Sequence, residues 1–112
     1  APCSASGVIR RHPDIKVLRT PADIDNFADQ QLTILHGLWP LLRPGGTLLY
    51  ATCSVLAEEN SSVVSQFLDS EPSAVHVPLD VSWGQATEFG RQLLPTATEF
   101  DGLYYCRLRK AD

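Results

Sequence analysis

The 112 residues contain no methionine, and no cysteine has a second cysteine or a histidine at metal-ligand spacing. The missing C-x-x-C patterns exclude a zinc ribbon or finger, and no metal is expected. No apolar run approaches the roughly 20 residues that cross a bilayer, and there is no signal-peptide pattern. No membrane partner is expected. G-x-S-x-G is absent, which removes the usual serine-hydrolase elbow. Positive charge is also scarce. Nine Lys and Arg face thirteen Asp and Glu, a formal charge of −4, which by itself argues against a nucleic-acid binder. There is no internal repeat and no low-complexity tract.

The residues that are present describe a globular chain. Hydrophobic residues make up 44%, enough for one domain with one modest core. Three cysteines, Cys3, Cys53 and Cys106, make an odd count, which favours reduced thiols and a cytoplasmic location over a disulfide framework. The chain opens without Met on a loop-like Ala1-Pro2-Cys3-Ser4, and it is expected to be part of a larger protein. Basic residues gather at two places: Arg10, Arg11, Lys16 and Arg19 near Cys3, and Arg107, Arg109 and Lys110 near the end. Most acids lie between them.

The pattern predicts a loop and short basic segment over residues 1–20, then a helix. Thr20 is the N-cap, Pro21 the first helical residue and Asp23 an acid in the first turn. Apolar residues at Ile24, Phe27, Ala28, Leu32, Leu35, Leu38, Trp39 and Leu42 give that helix one buried face. Pro40 kinks its last turn, and Arg43-Pro44-Gly45-Gly46 ends it. Thr47 to Ala51 reads as a strand buried on both faces, as in a parallel sheet. Glu58-Glu59-Asn60 opens a second helix with Val63, Val64, Phe67 and Leu68 inward, and Ser70-Glu71-Pro72 closes it. Ala74–Val77 is expected as a strand, 80–98 as irregular, Asp101-Gly102 as a turn and Leu103–Leu108 as a final strand. This order is the C-terminal half of an open α/β sheet.

Two cysteines sit where the chain leaves a strand, the place where α/β proteins keep their chemistry. Cys53 follows Thr47–Ala51 and precedes a helix, whose N-terminal field would stabilise a thiolate and lower the thiol pKa. The competing reading of Cys53 is a small buried hydrophobe. Cys3 stands among small residues ending at Gly7, either a close approach to a ligand or a tight turn. His12, His36 and His76 are candidate bases for a cysteine hydrolase, and no spacing favours any of them. Cys106, in the last strand, is read as core.

The two motif regions resemble RNA cytosine-5 methyltransferases. Ala1-Pro2-Cys3-Ser4-Ala5-Ser6-Gly7-Val8-Ile9-Arg10-Arg11-His12-Pro13-Asp14 is similar to that family's fourth motif, and Gly45-Gly46-Thr47-Leu48-Leu49-Tyr50-Ala51-Thr52-Cys53-Ser54 through Asn60 is similar to its sixth. Leu94-Pro95 and Asp101-Gly102-Leu103-Tyr104-Tyr105 resemble its closing motif. The extension from Gly7 to Asp14 looks like the bacterial group that acts on 16S ribosomal RNA (Sun, or Fmu).

The resemblance implies an α/β chain over 1–112, the C-terminal half of a Rossmann-like S-adenosylmethionine-dependent methyltransferase fold that ends in an antiparallel strand. It implies Cys53 as the nucleophile that adds to carbon 6 of cytosine, and Cys3 as the residue that assists release of the product. Pro2, Ser4, Arg10, Arg11 and Lys16 are the expected substrate-binding residues, with the basic side chains meeting phosphates of 16S ribosomal RNA. The cofactor is S-adenosylmethionine, with its binding residues expected mostly upstream of Ala1, so the fragment alone is expected to be inactive. In the family an Asp normally precedes the position of Ala1. Ala57 stands where many relatives carry Pro, and Cys106 where they often carry Ala. The alternatives are a transfer RNA cytosine-5 methyltransferase and a non-catalytic RNA-binding remnant of the same fold.

Overall fold

The structure is a computed structural model, and it describes residues 1, 3, 21–54, 56–79, 84–93 and 102–112. Helix α1 runs Pro21–Leu38 and passes into a single 3-10 turn, Trp39–Leu41. Pro40 has no N–H to donate back along an α-helix, so the helix stops just before it. Strand β1 is Thr47–Thr52. A 3-10 turn, Ala57–Glu59, leads into α2, Ser61–Ser70. The remaining strands are β2 (Ala74–Val77), β3 (Gln85–Ala86), β4 (Arg91–Leu93) and β5 (Leu103–Lys110).

Strand β5 organises the sheet. It pairs antiparallel with β1 along one edge, with Tyr50 opposite Cys106. Its other edge is shared: β4 faces its first half, Arg91 opposite Tyr105, and β2 faces its second, Val77 opposite Arg107. The strands β1 and β2 therefore run parallel to each other with the antiparallel β5 between them. A final antiparallel strand is what the sequence predicts.

Alternation along β5 turns Tyr104, Cys106 and Leu108 to one face, and all three are fully buried. They meet Tyr50 from β1, Leu35 and Trp39 from the end of α1, and Val63, Val64 and Phe67 from α2. Both helices thus cover the same face of the sheet. Trp39 packs edge-on against Phe67, with ring centroids 5.1 Å apart. Its indole N–H donates to Ser73 Oγ at 2.8 Å. The Lys110 ammonium donates to Trp39 O at 3.1 Å and Leu42 O at 2.8 Å, fastening the end of α1 to the end of β5.

Three local expectations change. First, β1 is not buried on both faces. Leu49 is 57% exposed, as is Val75 at 43% on the same side of the sheet, because the described helices cover only the opposite face. Second, the segment 80–98 is not wholly irregular. The short strands β3 and β4 pair Gln85 with Gln92 and Ala86 with Arg91. Two and three residues are too few for an alternation signal, and the pairing with β5 supplies what local sequence does not. Third, α2 starts at Ser61. Glu59 lies in the preceding 3-10 turn, fully buried, and its carbonyl accepts from the Tyr50 hydroxyl at 2.7 Å.

Candidate two-thiol site

The fold brings Cys3 and Cys53 together. Their Sγ atoms are 3.3 Å apart, within hydrogen-bond distance across 50 residues of sequence. Both thiols are partly exposed, whereas Cys106 is buried in the core as the sequence suggests. The Ala1 amino group donates to Ala51 O at 3.1 Å, so the segment that carries Cys3 is held beside the end of β1.

Cys53 is the first residue after β1, and the residues on either side of it are buried. The Ser54 N–H donates to Thr52 Oγ1 at 3.2 Å, closing a tight turn around the cysteine. Thr52 Oγ1 in turn donates to Asn60 Oδ1 at 2.6 Å. Ser54 Oγ accepts from the Leu56 N–H at 3.0 Å. The loop is therefore fixed by side chains where the strand ladder ends.

Burial, and then the hydrogen bond with Cys3, push the Cys53 thiol up to about 11. This corrects the expectation of a lowered thiol pKa. Burial penalises the thiolate and outweighs the groups that favour it. The thiol at rest is protonated.

The described histidines serve other partners. His36 Nε2 lies 3.2 Å from Ser70 Oγ and its ring packs on Phe67. His76 Nε2 accepts from the Gly90 N–H at 3.2 Å, and burial lowers its pKa. Neither is paired with a cysteine, so the described residues do not support a cysteine hydrolase. His12 and the expected substrate-binding residues Pro2, Ser4, Arg10, Arg11 and Lys16 lie outside the described residues, as do Leu94-Pro95 and Asp101 of the closing motif.

Two residues that sequence reasoning leaves without a role at the site belong beside it. Asn60 is taken above only as a helix opening, and Gln92 falls in the segment expected to be irregular. Both are buried polar side chains, and their hydrogen bonds run to the Cys53 turn. The one signal for Gln92 is a polar residue whose strand neighbours, Arg91 and Leu93, face the other side of the sheet.

A shallow cleft of about 150 Å³ runs along β1, lined by Ala1, Gln31, Ile34, Leu38, Leu49 and Ala51. It is apolar, and smaller than the ~300 Å³ at which small-molecule pockets begin. This cleft therefore does not fit a whole adenosyl cofactor. Among the described residues there is no group of metal-ligating side chains, and no helix is long and apolar enough to cross a membrane.

An antiparallel last strand inserted between two parallel ones, with two helices on one face, is an α/β fragment of a Rossmann-like methyltransferase. A methyltransferase homolog protein from Pyrococcus horikoshii has the same fold, with a TM-score of 0.80 at 30% identity, matching 98% of this chain and 37% of its own. A family model described as 16S rRNA methyltransferase RsmB/F matches residues 1–109, and the chain belongs to that family. It is 56% identical over 98% of its length to the ribosomal RNA small subunit methyltransferase B of Cronobacter sakazakii, of which it covers 25%. It is 48% identical to the probable ribosomal RNA small subunit methyltransferase B of Coxiella burnetii, again over 98% of its length and 26% of that protein. The chain spans about a quarter of the length of these curated relatives.

Proposed function

We propose that this chain is the C-terminal part of the catalytic domain of a cytoplasmic enzyme that methylates carbon 5 of a cytosine in 16S ribosomal RNA, and that it contributes the two thiols of the reaction. The observation that carries the reading is the 3.3 Å approach of Cys3 Sγ to Cys53 Sγ. Family membership supports the substrate class.

Carbon 5 of cytosine is a poor nucleophile. Cys53, once deprotonated, adds to carbon 6, and the ring electrons shift so that carbon 5 becomes enamine-like. The methyl group comes from S-adenosylmethionine, held outside the described residues, as an electrophilic carbon beside the base. Product release then needs two bonds to break. The carbon-5 proton passes to a base, and the carbon 6–sulfur bond gives its electron pair back to Cys53. A Cys3 thiol in hydrogen-bond contact stabilises that departing thiolate. A thiolate as basic as that of Cys53 is a poor leaving group, so this exit depends on the neighbouring donor.

The target base must leave its stack to reach such a pair. Arg10, Arg11 and Lys16 would meet phosphates beside it, with Pro2 and Ser4 against the base. The chain alone is expected to be inactive.

The test uses the full-length protein with Cys3 and Cys53 replaced separately by Ala and incubated with RNA and cofactor. The Cys3→Ala protein accumulates a denaturation-resistant protein–RNA adduct, and the Cys53→Ala protein forms none. The reverse pattern would exchange the two roles, and no adduct from either variant would remove the covalent mechanism.

A further inference from the structure

Asn60 and Gln92 are carboxamides 2% and 7% exposed, 32 residues apart, and in contact. Both amides are engaged at oxygen and at nitrogen. Asn60 Oδ1 accepts from Thr52 Oγ1 at 2.6 Å. Asn60 Nδ2 donates to Ser54 O at 3.0 Å and to Gln92 Oε1 at 2.9 Å. The two hydrogens of Gln92 Nε2 are shared among Ser54 O at 3.2 Å, Leu103 O at 3.1 Å and Leu93 O at 3.2 Å. The partners fix the orientation of each amide. Turning Asn60 over would set its oxygen against Ser54 O, and turning Gln92 over would set its oxygen against three carbonyls.

The shared target is the turn around Cys53. The Ser54 carbonyl is buried past the end of the β1 ladder, and two amide donors satisfy both of its lone pairs. The Ser54 N–H is held by Thr52 Oγ1, which is itself held by Asn60. Both peptide groups that flank Ser54 are thereby locked, and Thr52 is locked on the other side by its pairing with Tyr104. An apolar pair of similar size would join the start of α2 to β4 equally well. Only a pair of carboxamides aims the backbone on either side of a cysteine.

We infer that Asn60 and Gln92 are positioning residues for Cys53, clamping the Thr52–Ser54 turn from α2 and from the last hairpin so that the thiol meets carbon 6 of the base. The inference rests on the functional reading above. It makes the segment before the final strand, far from Cys53 in sequence, part of the reaction's geometry.

The test replaces Gln92 with Met, which keeps length and removes every hydrogen bond, in the full-length enzyme. The single-turnover methylation rate falls about 10- to 100-fold, the scale of a misplaced reacting group, while KM for RNA changes less than about threefold. In the same protein without RNA, iodoacetamide labels Cys53 faster, because the freed turn is more exposed, and Cys106 stays protected. Slower chemistry with a more accessible thiol separates positioning from general unfolding, which would expose Cys106 as well. A methylation rate within about twofold of the parent, or Cys53 labelling no faster than in the parent, overturns the inference. Should Gln92→Met not fold, Asn60→Asp keeps the acceptor for Thr52 and loses both donors, and it is judged by the same readouts. If Cys3→Ala yields no adduct in the otherwise unchanged enzyme, the covalent reading fails. The labelling comparison then still decides whether the carboxamides hold the turn.

Discussion

Cys53 Sγ lies 3.3 Å from Cys3 Sγ, at a point where burial opposes ionisation of Cys53. The pair is close enough to share a proton. Burial keeps Cys53 protonated at rest. On the mechanism proposed above, Cys53 would be deprotonated in the substrate complex.

A pH dependence follows from this. With the folded thiol pushed up to about 11, alkylation of Cys53 in the RNA-free enzyme rises about tenfold per pH unit through pH 8 to 10. Peptide mapping by mass spectrometry distinguishes it from Cys3 and Cys106. A plateau near pH 8 would mean that a thiolate is already stabilised. The same shift has a stability consequence. A thiol whose folded pKa is raised contributes stability that is fully present below the ordinary thiol value and is lost as pH climbs toward about 11. Cys106, also pushed up to about 11 by burial, acts in the same direction.

At the acid end, His76 sets a different dependence. Its Nε2 accepts from Gly90 N–H, and its ring meets Phe89 edge-on at 5.3 Å. Protonation would place an N–H against an N–H. Burial lowers its pKa, so the neutral form stabilises the fold above the ordinary value of about 6.5, and that stability is lost as pH falls through this value. Thermal unfolding of the full-length protein is expected to show a midpoint that drops between pH 7 and 5. The drop should be shallower in His76→Phe. An identical acid slope in the variant would assign the effect to other groups.

The hairpin that presents Gln92 depends on one glycine. Gly90 is buried with φ +94, and its carbonyl accepts from the Thr87 N–H at 3.0 Å. A Cβ there would press on the Tyr105 carbonyl and on the Tyr104 hydroxyl, which itself donates to Phe89 O. Gly90→Ala combines a disfavoured backbone conformation with a clash and is expected to cost about 2–4 kcal/mol. Urea unfolding measures this. A loss under about 0.5 kcal/mol would mean that the hairpin shifts freely away from β5.

Much of this arrangement is legible from residue patterns. Pro21 and Pro40 bracket α1 because a residue without an N–H suits a helix start and stops an interior. The alternation from Leu103 onward predicts β5, and the burial of Tyr104, Cys106 and Leu108 follows it. The approach of Cys3 to Cys53 is not in the spacing, and their joint role rests on likeness to a family. Gln92 is hidden for a physical reason. A three-residue strand has no periodicity, and the value of a buried amide depends on carbonyls that only the folded loop brings to it. The thiol pKa expectation failed because it weighed the helix N-terminus and not the burial that outweighs it.

The core beneath the site rests on Phe67, which is fully buried and contacts both the Trp39 ring at 5.1 Å and the His36 ring at 5.0 Å. Truncation to Ala removes the wedge between α1 and α2 and leaves a cavity that two rigid helices cannot close. The expected loss is about 3–5 kcal/mol. Phe67→Leu fills more of the same space and is expected to lose clearly less than Ala. Because α2 begins one residue after Asn60, loosening it also frees the carboxamide that holds Thr52 and Ser54. Thermal unfolding together with Cys53 labelling checks both effects. In Phe67→Ala the midpoint falls and labelling of Cys53 accelerates, whereas an unchanged midpoint would show that the helices are held by the sheet alone.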